Sequence, residues 1–244
     1  MITMETIIDT AVRYHTSDIN IAREYIQHMF LKTFYGLPMS DHVLFKGGTA
    51  LRIVFDSPRF SEDLDYSAFD ISRDEIENLF LSTLAELERS NIRVELRDKS
   101  GGTSGGYYGE AIFQLYEHTI TFSINVIIRE KVPLPKSEYK LIHKDLAPNY
   151  SLLLLPQEIL VHEKIQALMT RAKPRDYYDL YFMLRSGMIQ PNDRLLLKDI
   201  LIQVEQTNLD FKKELSVFLP TDHQSIIRDF KNTLILEIKK NAGI

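Results

Sequence analysis

The chain has 244 residues, of which 44% are hydrophobic, and a formal net charge of −5 at pH 7. This length can bury a substantial core in one large domain or two small ones, and the acidic balance argues against a general nucleic-acid binder. The sequence contains no cysteine, which excludes disulfides, thiolate metal sites and cysteine nucleophiles. No apolar run approaches the roughly 20 residues that span a bilayer. The N-terminal stretch MITMETIIDTAVRYH lacks the features of a signal peptide, so we expect a cytoplasmic protein without a membrane partner.

The first part of the chain interleaves helix and strand patterns. In chain order, the spacing of apolar and capping residues predicts a helix over 18–35, a strand over 43–45, a tight turn over 46–48, a helix over 49–55, a strand over 64–69, a helix over 73–90 and a strand over 92–97. The segment AIFQLYEHTITFSINVII then predicts two strands joined by a turn at Glu117 and His118.

A glycine-rich stretch, SGGTSGG at residues 100–106, permits two interpretations. Such a stretch resembles a phosphate-binding loop, but that loop is followed by a helix. Here strand-like segments lie on both sides, which favours a flexible hairpin loop.

From about residue 150 the pattern is helical. The sequence predicts helices over 156–171 and 175–187 and further helical segments near 193–204, 210–218 and 223–240. Strands mixed with helices come first and helices alone come last, which is typical of a mixed α/β sheet domain followed by a helical one. We place the boundary between residues 1–148 and 149–244.

The stretch FSEDLDY carries two acids, Asp63 and Asp65, at the start of a predicted strand. Residues two apart on a strand face the same side, roughly 7 Å apart along the chain. Mg²⁺ takes one or two carboxylates and completes its shell with phosphate and water. The pair therefore indicates either a metal site or an ordinary polar strand edge.

The stretch KGGT, residues 46–49, lies between a predicted strand and a predicted helix. Consecutive glycines allow close approach of a ligand, and the free N–H groups and positive dipole end of a helix attract an anion. Thr49 can cap the helix or donate its hydroxyl group to a phosphate. A plain strand-to-helix turn also favours glycine, and no Walker motif is present. The two features together, within twenty residues, indicate a nucleotide site.

Two blocks of the sequence resemble the nucleotidyltransferase AbiEii/AbiGii toxin family, a branch of the nucleotidyltransferase-fold superfamily. The first is FKGGTALRIVFDSPRFSEDLDYS and the second is LPQEILVHEKIQALMTRAKPRDYYDLYFML. The similarity runs from about residue 20 to residue 186. It implies a nucleotidyltransferase-like mixed sheet whose helical C-terminal domain completes the active-site cleft.

The resemblance also implies roles for individual residues. It assigns nucleotide binding to Lys46, Gly47, Gly48, Thr49, Arg59, Ser61 and Lys164, metal binding to Asp63 and Asp65, and catalytic roles to Asp63, Asp65, Lys164 and Asp176. The implied cofactor is Mg²⁺ or Mn²⁺. The implied partners are a nucleoside triphosphate, an RNA acceptor such as tRNA, and a cognate antitoxin.

Lys164 and Asp179 can also be interpreted from the helical pattern alone. Lys164 shares a stripe with Leu160 and Leu168, so its ammonium group either has a fixed anionic partner or snorkels at the edge of the stripe. Asp179 is spaced for an ion pair with Arg175, and we interpret it as mainly structural.

The chain departs from the family pattern on the strand that contains TFSIN. The family carries a third acid there, which often activates the attacking hydroxyl, whereas this chain has Thr121 and Ser123. Strand alternation puts Thr121, Ser123 and Asn125 on one face. The leading hypothesis is a metal-dependent nucleotidyltransferase that acts as the toxin of a type IV toxin–antitoxin or phage-defence system. The alternatives are a catalytically inactive nucleotide- or RNA-binding protein, and a phosphohydrolase or kinase on the same scaffold.

Overall fold

The structure is a computed structural model that describes residues 1–97, 101–103 and 105–243. The chain divides into two compact units. Unit 1 contains Met1–Asp56 and Phe60–Leu155, and unit 2 contains Ser57–Arg59 and the chain from Pro156 onward. The part of the chain that is described contains no helix long and apolar enough to cross a membrane.

Unit 1 is built on a mixed sheet. Its strands are β1 (Val43–Lys46), β2 (Leu64–Ala68), β3 (Arg93–Leu96), β4 (Gly101–Thr103), β5 (Gly106–Leu115), β6 (His118–Ile128), β7 (Tyr139–Lys144) and β8 (Ala147–Leu153). The main sheet has the order β1-β2-β6-β5-β3, and β4 also pairs with β5. The pairing of β2 with β6 is parallel, and the other pairs in this sheet are antiparallel. Strands β7 and β8 form a separate two-stranded sheet.

Helices cover one face of the main sheet. The helices of unit 1 are α1 (Met4–Arg13), α2 (Asp18–Phe34), α3 (Gly47–Phe55) and α4 (Arg73–Arg89). Phe30 on α2 lies 6.2 Å from Phe80 on α4 and 5.6 Å from Phe122 on β6, measured between ring centroids. Phe122 stacks on Phe113 of β5 at 4.7 Å. Since alternate residues of a strand face opposite sides, this aromatic core leaves the neighbours of Phe113 and Phe122 on the other face.

A neutral histidine lies inside unit 1. His28 on α2 is fully buried, and its Nδ1 lies 2.8 Å from the Tyr150 hydroxyl of β8. Burial lowers the pKa of His28 to about 3, with smaller contributions from the positive charges of Lys144 and Arg52. The imidazole therefore stays uncharged in the folded protein at neutral pH.

Unit 2 is helical over its described residues. Its helices are α5 (Gln157–Arg171), α6 (Pro174–Arg185), α7 (Pro191–Arg194), α8 (Leu197–Gln206), α9 (Phe211–Leu215), α10 (Gln224–Ile227) and α11 (Phe230–Ala242). Phe211 lies at the centre of its aromatic core, 5.0 Å from the ring of Phe230 and 5.5 Å from that of Tyr177. These contacts join α6, α9 and α11.

The expected mixed α/β fold followed by helices is confirmed, with three differences in detail. The helix expected from Thr49 begins at Gly47, so Gly47 and Gly48 of the predicted turn belong to the first turn of α3, and Lys46 is the last residue of β1. Helix α1 and strands β7 and β8 were missed. Because β8 belongs to unit 1, the units divide after Leu155, whereas a boundary after residue 148 would cut this strand.

The glycine-rich stretch of residues 100–106 lies partly outside the described residues. Residues 101–103 form β4, which pairs antiparallel with the beginning of β5. This pairing fits the hairpin interpretation rather than a phosphate loop. Ser100 and Ser104 are not described.

Candidate functional site

Four neighbouring strands present polar side chains on the face of the main sheet that is opposite the aromatic core. Lys46 of β1 is directly opposite Asp65 of β2, Asp65 is in register with Asn125 of β6, and Asn125 is opposite Tyr108 of β5. Directly opposed residues share a face of a sheet. These four side chains therefore form one row across the sheet.

A second row lies beside the first. Ser123 of β6 is directly opposite Glu110 of β5, and Ser123 donates its hydroxyl hydrogen to Asp63 Oδ1 at 2.8 Å. Asp63 directly precedes β2, and its bond to Ser123 puts its carboxylate on the face that Asp65 shares. The two rows therefore form one polar surface. We call it the carboxylate face, defined by Asp63, Asp65, Ser123, Tyr108 and Glu110.

Asp63 is held by groups from two other elements. The backbone N–H and the hydroxyl of Ser123 both donate to Asp63 Oδ1, at 3.3 and 2.8 Å. The buried Thr49 of α3 donates its hydroxyl hydrogen to the Asp63 carbonyl oxygen. The structure thus places Ser123 beside Asp63, as strand alternation predicts, and it makes Thr49 a support for the strand that carries both aspartates.

Gly47 lets the Asp65 side chain lie against the beginning of α3. Gly47 has φ of +84°, which favours glycine. A Cβ atom added there would lie 2.3 Å from Asp65 Oδ2 and 2.8 Å from Asp65 Cβ. The first turn of a helix carries unpaired N–H groups and a positive dipole end. The Asp65 carboxylate is therefore next to a helix end that attracts anions.

Gln27 anchors the loop that leads to Asp63. It is 1% exposed, and its Nε2 donates to the carbonyl oxygens of Ser61 and Glu62 at 3.0 and 2.9 Å. The structure thus gives Ser61 a structural contact through its main chain. Gln27 was missed in the sequence because a glutamine in a helix gives no local sign that it bonds to a loop 34 residues away.

Hydrogen bonds continue across the carboxylate face to Glu110. The Tyr108 hydroxyl donates to Glu110 Oε2 at 2.6 Å, and Arg97 Nη1 lies 2.9 Å from Glu110 Oε1. The hydrogen bond to Glu110, followed by burial and the charges of Glu110 and Asp63, raises the pKa of Tyr108 to about 12. A hydrogen bond with the Ser123 side chain acts in the opposite direction. Tyr108 therefore links Glu110 to the Ser123–Asp63 pair and stays protonated at neutral pH.

The residues that could hold a divalent cation are Asp63 and Asp65. Hard cations such as Mg²⁺ prefer carboxylate oxygens and need only one or two of them when phosphate and water complete the shell. Within residues 1–97, 101–103 and 105–243, no group of three or more acidic or histidine side chains converges as a ligand set. The donor set fits a cation that arrives with a phosphate-bearing ligand.

Unit 2 contains a separate buried charge cluster. Asp179 on α6 is 1% exposed and accepts from Arg59 Nε and Nη2 at 2.9 and 3.1 Å and from Lys164 Nζ at 2.8 Å. Burial by itself would raise the pKa of Asp179, but the charges of Arg59 and Lys164 outweigh it and lower the pKa. The expected pair with Arg175 is wrong, because Arg175 Nε lies near Glu214 instead, at 3.9 Å.

The other two predicted residues of unit 2 are also engaged in structure. Lys164, whose side chain is 11% exposed, has the fixed anionic partner that the helical pattern suggested. Asp176 is 2% exposed, pairs with Arg171 at 2.6 and 2.8 Å, and accepts from the backbone N–H of Lys173 at the beginning of its own helix. In this structure both charged groups stabilise unit 2.

Comparisons with known proteins identify a family and similar folds. A family model described as "Nucleotidyl transferase AbiEii toxin, Type IV TA system" matches residues 30–241. A comparison with curated proteins finds none that matches. The crystal structure of JHP933 from Helicobacter pylori is similar with a TM-score of 0.66 and 19% identity, over 93% of this chain and 94% of that chain. A structure described as "putative nucleotidyltransferase from H. pylori" is similar with a TM-score of 0.65 and 18% identity, over 93% of this chain and 96% of that chain.

Proposed function

Because the chain belongs to the AbiEii family of nucleotidyl transferase toxins of type IV toxin–antitoxin systems, we propose that it transfers a nucleoside monophosphate from a triphosphate to an acceptor hydroxyl and releases pyrophosphate. One observation carries the proposal. Asp63 and Asp65 project from one face of the sheet, with the Asp65 carboxylate against Gly47 at the beginning of α3. This arrangement supports the proposal of a metal site and a phosphate site side by side.

The contact between Asp65 and Gly47 supports metal dependence. An anion attracted to the first turn of α3 would meet the negative charge of Asp65 at close range, and like charges repel. A divalent cation held by Asp63 and Asp65 would offset that repulsion. The proposed cofactor is Mg²⁺ or Mn²⁺, held by Asp63 and Asp65, which neutralises phosphate charge when bound.

The protein's own groups then act mainly by positioning. Phosphoryl and nucleotidyl transfer need an acceptor aligned with the reacting phosphorus and fixed charges around the phosphates. Ser123 orients the Asp63 carboxylate, and Thr49 fixes the main chain beneath it. The main-chain N–H groups of Gly47 and Gly48 are available to phosphate oxygens at the beginning of α3. Lys46, opposite Asp65, is the proposed cation for the same phosphates.

Through the family resemblance, nucleotide binding by Lys164 and Arg59 and a catalytic role for Asp176 remain part of the proposal. Lys164 and Arg59 share Asp179 as their anionic partner. Lys164→Ala is expected to weaken triphosphate binding by about 1.5–3 kcal/mol if the ammonium group contacts the phosphates. Isothermal titration with the four triphosphates measures this, and equal affinities of variant and parent assign Lys164 to the stability of unit 2 alone.

We further propose an RNA acceptor such as tRNA, a cognate antitoxin as protein partner, and a cytoplasmic toxin or phage-defence role. The family description supports the antitoxin partner. The net charge of −5 implies that an RNA acceptor is recognised by a local surface, because a chain with this charge repels nucleic acid at long range.

The test is incubation of the protein with each α-labelled triphosphate, total RNA and Mg²⁺ or Mn²⁺, with a parallel reaction in a chelator. The proposal predicts labelled RNA and free pyrophosphate with one or more of the triphosphates, and neither product in the chelator. Label recovered as free nucleoside diphosphate or monophosphate, and not in RNA, indicates a hydrolase or kinase instead.

One observation favours a second candidate, a protein that binds nucleotide or RNA without catalysis. Ser123 stands beside Asp63 where the family pattern has an acid, and it uses its hydroxyl to bond the Asp63 carboxylate. Two carboxylates without a third group to accept a proton are sufficient for binding but not for efficient transfer. Retention of nucleotide with no labelled product in the same incubation identifies this candidate.

A further inference from the structure

The carboxylate face contains an acidic side chain that the sequence pattern did not single out. Glu110 lies on β5, directly opposite Ser123, and its side chain is 14% exposed. Along β5, Tyr108, Glu110 and Ile112 are partly exposed, whereas Gly109 and Ala111 between them are buried. Glu110 therefore projects from the same face as Asp63. Its strand, β5, is separated from β2 by β6.

We propose that Glu110 is the catalytic proton acceptor for the attacking hydroxyl, an inference that rests on the nucleotidyl transfer proposed above. A hydroxyl that attacks a phosphorus atom must lose its proton, and a positioned carboxylate can take it. Asp63 accepts the Ser123 hydroxyl hydrogen, and Asp65 lies against the helix end. Both are assigned to the cation. Among the five residues that define the carboxylate face, Glu110 is the third acid, and it lies opposite Ser123 rather than beside the phosphate-binding turn.

The surroundings of Glu110 fix its orientation. Arg97 contacts one carboxylate oxygen at 2.9 Å and the Tyr108 hydroxyl donates to the other at 2.6 Å. These two contacts hold the carboxylate in one position, which is what a proton acceptor requires.

The balance of the step is simple. The proton of the acceptor hydroxyl moves to an oxygen of Glu110, and the acceptor oxygen forms a bond to the α-phosphorus of the triphosphate. The bond between that phosphorus and the bridging oxygen breaks, and its electron pair leaves with pyrophosphate. Glu110 afterwards returns the proton to water. No oxidant, reductant or further reactant is needed.

The test compares Glu110→Gln with Glu95→Gln. Glu95 is an exposed carboxylate on β3, opposite Ile112, and it serves as the matched control for charge. For each protein we measure label transfer from α-labelled triphosphate over a range of pH, and separately the affinity for Mn²⁺ and for a non-hydrolysable triphosphate by isothermal titration. Glutamine keeps an oxygen that can accept from Tyr108 but cannot take a proton.

We expect Glu110→Gln to lower transfer by about 100-fold or more, to remove the acid-side rise of the pH–rate profile, and to leave both affinities unchanged. Glu95→Gln should behave like the parent. If Glu110→Gln is unfolded by circular dichroism, Glu110→Asp replaces it, and this variant should keep the acid-side rise at a reduced rate.

Two outcomes overturn the inference while transfer itself stands. In the first, Glu110→Gln transfers as fast as Glu95→Gln. In the second, Glu110→Gln loses Mn²⁺ affinity as Asp63→Asn does, which makes Glu110 a metal ligand. A parent protein that transfers no label with any triphosphate is a different failure, since it refutes the proposed function, and the inference falls with it.

Discussion

Replacing Gly47 by alanine tests how the sequence builds the site, because two separate costs meet at this residue. The first is conformational, since φ of +84° is unfavourable for alanine; a left-handed backbone costs a residue with a side chain about 1–2 kcal/mol. The second is steric. The new Cβ atom would lie 2.8 Å from Asp65 Cβ, an atom that no side-chain rotation can move.

The steric cost requires β2 and α3 to separate. Forcing an extra carbon into a packed contact costs about 1–3 kcal/mol, so the two costs together predict about 2–5 kcal/mol for Gly47→Ala. The matched control is Gly187→Ala. Gly187 also has a positive φ, +66°, but an added Cβ would meet no atom within 4 Å, so the control carries only the conformational cost.

The assay is denaturant unfolding followed by circular dichroism, together with Mn²⁺ titration. Gly47→Ala should be more destabilised than Gly187→Ala and should bind Mn²⁺ more weakly, because Asp65 is displaced. Equal destabilisation of the two variants, or unchanged Mn²⁺ affinity in Gly47→Ala, would refute the close contact between Gly47 and Asp65.

Two further predictions concern the buried ionisable side chains His28 and Asp179. The folded pKa of His28, about 3, lies below its ordinary value of 6.5, so its contribution to stability is complete above 6.5 and falls as the pH is lowered. Between pH 7 and pH 5 the free energy of unfolding should fall by about 2 kcal/mol more in the parent than in His28→Gln. Equal dependence of the unfolding free energy on pH in the two proteins would contradict a buried neutral imidazole. Asp179→Asn should destabilise unit 2 by about 3–5 kcal/mol, because it leaves Arg59 and Lys164 without their anion. Because the pKa of Asp179 is lowered, its contribution to the free energy of unfolding is present above the ordinary carboxyl pKa and is lost as the pH falls through the folded value. If Asp179→Asn lowers the free energy of unfolding by less than about 1 kcal/mol at pH 7, the cluster behaves like an exposed ion pair instead.

The local geometry of the site was predictable from the sequence. Alternation along a strand placed Asp63 and Asp65 on one face and predicted Ser123 on the face that meets them. Two glycines between a strand and a helix identified the turn that approaches Asp65. These inferences depended only on residues that are close together in the sequence.

The contacts between distant segments were not predictable in the same way. Glu110 became a candidate only through the register of β5 against β6, and register is set by the packing of the whole sheet rather than by the local sequence. Asp179 was paired with the wrong arginine, because helical spacing suggests Arg175 while its partner Arg59 lies 120 residues away. The strand β8 contains Pro148. Because proline is uncommon inside strands, the local sequence did not indicate a strand there.

The most direct test of the central claim is label transfer by Asp63→Asn beside Asp70→Asn. Asp70 is an exposed aspartate two residues after the end of β2, with a positive φ of 48° that asparagine tolerates. We expect Asp63→Asn to fold with unchanged or slightly higher stability, because repulsion with Asp65 is relieved, and to transfer no nucleotide. Asp70→Asn should transfer at the parent's rate. Full transfer by a folded Asp63→Asn would contradict the account.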